Sequence, residues 1–168
     1  SLDLNRLTDL PAPRTVEEEQ HALDSGLARL TRMLELQRLD SDATAGAILD
    51  AHRSLATDTT LRQHLLAGVS DGLSCAEAII RTASHFSDEF ARASSRYLQE
   101  RALDVRDVGY QLLQQIYGEG RFPAPGKLTQ PTICMAEEIT PSQFLELDKT
   151  LLKGLLLQSG GTTSHTVI

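Results

Sequence analysis

The segment TVEEEQHALDSGLARLTRML, residues 15–34, decides the fold that the sequence predicts. Thr15 and Glu18 form a capping-box pattern, in which a hydroxyl and a carboxylate three residues later satisfy backbone N–H groups at the start of a helix. Leucines then follow at positions 23, 27, 30 and 34. Residues at these spacings share one face of a helix, so the pattern predicts a long amphipathic helix over roughly residues 16–38.

Similar amphipathic stretches continue to residue 117. Their starts are marked by Asp40-Ser-Asp42, by Asp58, by Ser74 with Glu77, and by the pair Ser94-Ser95. Each predicted helix has one apolar face, which it can bury only against the other helices. We therefore expect residues 15–117 to form a bundle of antiparallel helical hairpins, preceded by a loop over residues 1–14.

The character of the chain changes after residue 117. Residues 118–130 are predicted to be a linker, because the stretch Gly118–Gly126 contains three glycines and two prolines and cannot continue a helix. Thr132–Ala136 is predicted to be a buried strand and Lys153–Leu157 a second apolar strand, with a helical turn opening at Thr140. Two strands are too few for a stable sheet. Residues 131–168 are thus expected to be an incomplete α/β subdomain, in a chain of mainly α class that is a fragment of a longer protein.

Composition narrows the classes of partner. The formal net charge is −7, which argues against nonspecific nucleic-acid binding and suits a basic protein partner. The sequence has neither the roughly 20-residue apolar run that spans a membrane nor a secretory signal. We expect a cytoplasmic protein without direct membrane insertion, in which Cys75 and Cys134 are reduced and buried.

A histidine lies among glycines and hydroxyls at the end of the chain, in Gly160-Gly-Thr-Thr-Ser-His-Thr-Val-Ile168. An imidazole with an ordinary pKa of about 6.5 is mostly neutral at cytosolic pH and can attack a phosphoryl group. Glycines allow close approach, and hydroxyls and helix-start N–H groups can hold an anion. The predicted phosphate-positioning residues are Gly160, Gly161, Thr163, Ser164 and Thr166. From these residues alone, His165 fits a transient phosphohistidine or a structural histidine in a polar turn.

Three segments together resemble enzyme I of the bacterial phosphoenolpyruvate:sugar phosphotransferase system. Gly160–Ile168 resembles its Gly-Gly-Arg-Thr-Ser-His-Thr signature, with Thr162 in the place of Arg. Tyr97–Gly109 resembles the last bundle helix of that family, and Ala136–Ser142 resembles its Leu-Thr-Pro-Ser element. Within the family, the chain most resembles the enzyme I module of fused, fructose-type multiphosphoryl transfer proteins.

The resemblance implies a phosphoenolpyruvate-protein phosphotransferase in which His165 passes a phosphoryl group from phosphoenolpyruvate (PEP) to the carrier HPr. It also implies that the bundle binds HPr or an HPr-like domain, and that the α/β subdomain swivels. PEP and Mg²⁺ would bind a separate domain of the full-length chain, so no cofactor is expected in this fragment. The remaining histidines show no metal-ligand spacing, and no metal site is predicted.

Four bundle residues are carrier-binding candidates by the same resemblance. Arg101 and Arg106 correspond to arginines that face HPr or the transferring phosphate; alternatively, each pairs with a neighbouring aspartate. Asp58 lies where the family places acidic residues opposite basic HPr, but it can equally be a helix cap. His52 is either a contact residue or a core histidine.

Two other functions remain open from the sequence. The first is the swivelling domain of a pyruvate phosphate dikinase or PEP synthase, which uses a similar Gly-Gly-x-x-Ser-His motif. The helical segment of about a hundred residues weighs against it, because such an insertion suits HPr binding. The second is a non-catalytic helical interaction module with an inert His165.

Overall fold

The computed structural model describes residues 4, 10–118, 121–122, 128–136 and 139–158. Its helices and strands are α1 Val16–Leu39, α2 Ala43–Ala56, α3 Thr59–Ser70, α4 Cys75–Arg92, α5 Arg96–Tyr117, β1 Thr132–Ala136, α6 Pro141–Glu146 and β2 Leu152–Leu157. The predicted fold class, a helical bundle followed by a small α/β part, is confirmed. Across these residues, no helix is both long enough and apolar enough to cross a membrane.

Side-chain caps set the starts of most helices, as the sequence predicted. At the start of α1, the Thr15 hydroxyl accepts the N–H of Glu18 while the Glu18 carboxylate accepts the N–H of Thr15. Ser74 and Glu77 repeat this arrangement before α4. The other side-chain caps are Asp42 before α2, Asp58 before α3 and Thr140 before α6. These contacts satisfy N–H groups that have no partner within their own helix.

The apolar faces of α1, α4 and α5 meet at the centre of the bundle. Side chains with at most 1% of their surface exposed include Leu23, Leu30, Leu34, Ile79, Leu112 and Leu113. Burial of each leucine-sized side chain contributes about 2 kcal/mol. Close approach of α4 and α5 depends on Gly109, because a Cβ there would lie 2.9 Å from the Cβ of Ala83.

A buried glutamate joins α1 to α4. Glu19 is 1% exposed, and its Oε2 accepts the N–H of Cys75 at 2.9 Å, at the start of α4. The guanidinium of Arg14 donates to both carboxylate oxygens at 3.2 Å. Burial alone raises the pKa of Glu19, but the hydrogen bonds from Arg14 and Cys75 outweigh it and lower that pKa to about 2. Burial and the same carboxylate raise the pKa of the Cys75 thiol to about 12.

The α/β part is a parallel pair of strands joined through α6. β1 and β2 pair in parallel, and α6 contacts α5 and α2 of the bundle. The prediction that β1 is buried is wrong, because Ile133 is 62% exposed and Met135 is 78% exposed. Successive strand side chains point to opposite faces, and no described element covers the face that carries these two.

Two apolar side chains outside the predicted bundle boundaries belong to its core. Leu4, in the predicted loop, and Phe122, in the predicted linker, are each 2% exposed. The ring of Phe122 lies against Tyr110 and Tyr117, with centroid distances of 6.3 and 5.8 Å. The glycine and proline content correctly predicted that α5 ends at this point, where Gly118 has a φ of 83°. It did not predict that Phe122 packs into the bundle core.

Both cysteines are free thiols. Cys75 is buried, as predicted, but Cys134 is only half-buried. The difference follows from the position of Cys134 on β1, whose sheet is covered only in part by described residues.

We expect replacement of Glu19 with Gln to lower the free energy of unfolding at pH 7 by about 3 kcal/mol, because the pKa falls from 4.5 to about 2 on folding. A carboxylate with a lowered folded-state pKa stabilises the fold above its unfolded-state pKa. That contribution is lost as the pH falls from about 5 towards 2. The free energies of unfolding of variant and wild type, measured by urea denaturation, should therefore converge over this pH range.

The matched control is Glu17→Gln, a change at an exposed glutamate in the same first turn of α1. It should change neither the stability at pH 7 nor its pH dependence. A deficit in Glu19→Gln that stays constant from pH 7 to pH 2 would contradict the assigned role of the carboxylate.

Candidate functional site

An apolar groove opens where the end of α2, the start of α3, α4 and α5 meet. We call it the α2–α5 groove; it has a volume of about 240 Å³. It is lined by Leu55, Asp58, Thr60, Leu61, Phe86, Phe90 and Val105. Phe86 and Phe90 lie one turn apart on α4, with ring centroids 6.2 Å apart. A concave apolar surface of this kind can hold a large side chain from a partner, which is how many protein interfaces are anchored.

Two histidines extend the aromatic surface beside Phe86. The rings of His64 on α3 and His85 on α4 are stacked with centroids 5.9 Å apart. Each meets the Phe86 ring edge-on, at 5.0 and 5.3 Å. The Nε2 atom of His85 also lies 3.6 Å from a carboxylate oxygen of Glu89. No role was predicted for His64 or His85, since residues on different helices show no shared spacing.

Asp58 lines the groove and caps α3. Its carboxylate accepts the N–H of Leu61 at 2.8 Å, so the cap predicted from the sequence is confirmed. The neighbouring positions are Thr57, Thr59 and Thr60, all exposed and uncharged. At this point the edge of the groove therefore carries one acidic side chain rather than a cluster.

The structure does not bring the two candidate arginines to one described site. Arg101 lies one turn before Val105 on α5, which places it at the edge of the α2–α5 groove. Its guanidinium donates to the Tyr97 hydroxyl at 2.7 Å, and its Nε lies 3.8 Å from Asp104 Oδ2. Arg106 instead donates from Nε to the hydroxyl of Ser87 on α4 at 2.9 Å.

His52 on α2 is fully buried, among polar groups of α5. Its Nδ1 lies 3.3 Å from the amide nitrogen of Gln111, which also lies 3.5 Å from Asp107 Oδ1. An amide N–H₂ placed this way donates to Nδ1, so a neutral imidazole carries its proton on Nε2. Nε2 faces Asp104 Oδ1 at 3.6 Å and Asp107 Oδ2 at 3.7 Å. Both distances exceed an ordinary hydrogen bond, which leaves an electrostatic contact with both carboxylates.

Asp107 connects this buried cluster to α6. Its Oδ2 accepts the backbone N–H of Ser142 at 2.8 Å, and its Oδ1 accepts the Ser142 hydroxyl. Asp107 is 1% exposed. The sequence reasoning missed this contact. The available signal was the set of polar residues Asp104, Asp107 and Gln111, which share one face of α5 beside its apolar stripe.

The predicted phosphohistidine segment lies outside the described residues. This applies to His165 and to all its predicted phosphate-positioning neighbours, which are Gly160, Gly161, Thr163, Ser164 and Thr166. Their roles stay predictions. The described chain ends at Gln158, whose N–H bonds to Ala136 at the end of β1. Because β1 and β2 are parallel, their carboxyl ends lie at the same edge of the sheet. At this edge the chain continues from β1 towards Ser142 and from β2 towards Gly160.

The described residues hold no group of three His, Cys, Asp or Glu side chains arranged for a metal ion. His52 approaches two carboxylates, but the contact is an interior charge cluster of α2 and α5.

Residues 3–101 match the family described as PEP-utilising enzyme, N-terminal. The chain belongs to this family. Residues 128–168 match a second family, described as PEP-utilising enzyme, mobile domain. The first match covers most of the helical bundle and the second covers the α/β part, and together they confirm the family resemblance found in the sequence.

Named relatives agree with this assignment. The chain is 71% identical over its whole length to multiphosphoryl transfer protein 2 of Escherichia coli (strain K12), of which it covers 20%. It is 28% identical to a phosphoenolpyruvate-protein phosphotransferase of Staphylococcus epidermidis, of which it covers 29%. The chain thus spans less than a third of the length of these relatives. The solved N-terminal domain of Enzyme 1 - Nitrogen superposes with a TM-score of 0.69 at 25% identity, over 99% of this chain and 69% of that one.

We expect His52→Leu to lower the free energy of unfolding by about 2–4 kcal/mol, because it removes the imidazole that faces two buried carboxylates. Urea denaturation at pH 7 measures the change. The matched control is His21→Leu on the exposed face of α1, which should have little effect. Equal stability of His52→Leu and wild type would show that the ring only fills space.

Proposed function

We propose that the chain is the carrier-binding and phosphohistidine part of a phosphoenolpyruvate-protein phosphotransferase of the bacterial sugar phosphotransferase system. The names of its relatives, a multiphosphoryl transfer protein and a phosphoenolpyruvate-protein phosphotransferase, support phosphoryl transfer. The fused, fructose-type system rests on the resemblance found in the sequence. The observation that carries the proposal is the α2–α5 groove, an apolar binding surface on a bundle that this family joins to a mobile domain. The proposed location is cytoplasmic, where PEP is available.

His165 is the proposed phosphoryl carrier. A neutral ring nitrogen attacks the phosphorus of PEP; the bond to the enol oxygen breaks and an N–P bond forms. A histidine of HPr then attacks the same phosphorus, and the N–P bond to His165 breaks. Such transfers depend mainly on in-line positioning and charge stabilisation. In the proposal, these are supplied by Gly160, Gly161, Thr163, Ser164 and Thr166. PEP and Mg²⁺ are assigned to another domain of the full-length protein.

The α2–α5 groove is the proposed binding site for HPr or an HPr-like domain. Leu55, Leu61 and Phe90 offer an apolar floor of the kind that anchors a partner side chain. The acidic chain, with a net charge of −7, attracts a basic carrier during encounter. Asp58 and Arg101 are proposed to contact the carrier at the groove edge.

Arg106 and His52 take different parts in the proposal. The contact of Arg106 with Ser87 on α4 leaves it as a candidate for carrier or phosphate binding from the α4 side. His52 is completely buried, so its contribution to carrier binding is through the residues that it supports rather than by direct contact.

Phosphoryl transfer to His165 tests the function. Incubation with ³²P-labelled phospho-HPr should label the full-length protein that contains this chain at an acid-labile, alkali-stable site. The label should be absent from His165→Ala and present in the matched His21→Ala variant, at an exposed histidine of α1. Absence of label from wild type with both phospho-HPr and PEP would contradict the proposal. Labelling by ATP but not by phospho-HPr would favour a dikinase-type domain.

Truncation of the groove floor tests the carrier site. We expect Leu61→Ala to weaken HPr binding by about 5–10-fold, the cost of removing one well-packed anchor contact. Titration calorimetry measures the dissociation constant. Leu36→Ala, at a 54% exposed leucine on α1, is the matched control and should bind as wild type does. Equal weakening by both variants would place the carrier elsewhere.

A further inference from the structure

A continuous series of polar contacts runs from the edge of the α2–α5 groove to α6. We call it the polar chain: Arg101, Asp104, His52, Asp107 and Ser142. Consecutive members are separated by 3.8, 3.6, 3.7 and 2.8 Å. His52, Asp104 and Asp107 are 0%, 5% and 1% exposed. Polar side chains with so little exposed surface are compensated largely by contacts with one another.

Asp107 is the member of the polar chain that joins two parts of the protein. On the bundle side, its carboxylate faces Gln111 and His52. On the other side, it accepts both the backbone N–H and the hydroxyl of Ser142. Hydrogen bonds to a charged acceptor are about twice as strong as neutral ones. Two such hydrogen bonds between Ser142 and Asp107 fix the direction of Ser142 relative to α5 as well as its distance from it.

The described α/β part meets the bundle mainly through α6. This helix contacts α5 and α2, whereas Ile133, Met135 and Leu156 on the strands are more than half exposed. Near Ser142, Thr140 is 2% exposed and Pro141 is also buried. The N-terminal end of α6 is therefore the anchored point, and the strands extend away from it.

We propose that Asp107 is a positioning residue that fixes the orientation of the His165-bearing subdomain relative to the carrier-binding bundle. The inference rests on the proposed function of His165 and the groove. Its basis is geometric: Ser142 follows the same edge of the sheet from which the chain continues to Gly160. An orientation set at Ser142 therefore also sets the orientation of the end of β2, where Gln158 bonds to Ala136. The polar chain ties that orientation to Arg101 at the groove edge.

Residual dipolar couplings of backbone N–H groups test the orientation directly. In wild type, one alignment tensor should fit both the bundle and the two strands. In Asp107→Asn, an amide places a donor against the donors of Ser142, and in Ser142→Ala the hydroxyl donor is lost. In both variants we expect the alignment fitted to the strands to weaken by about twofold relative to the bundle, because the subdomain then reorients independently.

Asp71→Asn is the matched control, at an exposed aspartate after α3, and should retain one tensor. Ser142 lies outside the bundle, so Ser142→Ala tests the proposal even where Asp107→Asn unfolds. The proposal would be overturned if one alignment tensor of wild-type size fitted both the bundle and the strands in Ser142→Ala and in folded Asp107→Asn.

Transfer kinetics in the full-length protein separate positioning from binding. We expect the kcat for transfer between His165 and HPr to fall at least about 10-fold in Asp107→Asn, because misplacement of a reacting group by about an ångström has effects of this size. The KM for HPr should stay unchanged, since Asp107 does not line the groove. A raised KM with unchanged kcat would overturn the positioning role. The residual dipolar couplings are measured without any phosphoryl transfer. Failure of the proposed function would therefore be seen in a different experiment, as the absence of label on His165 in wild type.

Discussion

A buried carboxylate must find donors, because an uncompensated charge in the interior destabilises a protein by several kcal/mol. Asp107 finds them on both sides of the boundary between the bundle and α6. The arrangement of the two parts of the chain depends on this condition. The bundle is held by leucine-rich faces, which are non-directional, whereas the attachment of the α/β part relies on a few directional contacts. A joint of this kind can be specific in orientation and still contribute little apolar burial.

The two ends of the polar chain have different chemical character. The α2–α5 groove is apolar, and near α3 its edge carries Asp58 among threonines. Binding of a carrier at such a surface draws on shape and apolar contact, with net charge acting mainly on the encounter rate. The other end, at Ser142, is a hydrogen-bonded joint. The proposed function would need both properties, since a phosphoryl-carrying histidine must meet one partner and then another.

Local chemistry made most of the fold predictable. Thr15, Asp58 and Ser74 occupy the capping positions that the sequence indicated, because a cap needs only residues within the same turn. Contacts between distant segments could not be predicted from local sequence. Phe122 packs into the core from a segment whose glycines and prolines indicated only a linker. The prediction that β1 is buried was wrong for a related reason. The burial of a strand depends on what covers it and not on the strand's own sequence.

The candidate site was predictable to a smaller extent. Arg101, Asp58 and His52 were identified through family resemblance. The cap formed by Asp58 was predictable from its own turn, but the placement of Arg101 beside the groove and of His52 in the buried cluster required the packing of the helices. The Asp107–Ser142 contact joins residues 35 positions apart and has no local pattern. The phosphohistidine segment was the strongest chemical signal in the sequence and lies beyond the residues that the structure describes.

The central claim is that the bundle binds the carrier at the α2–α5 groove. The most direct measurement is an NMR titration of the ¹⁵N-labelled chain with unphosphorylated HPr. The account predicts that amide shifts concentrate at the end of α2, the start of α3 and the facing turns of α4 and α5, near Leu55, Leu61 and Phe90. Shifts confined to the outer face of α1, or to β1 and β2, would contradict it.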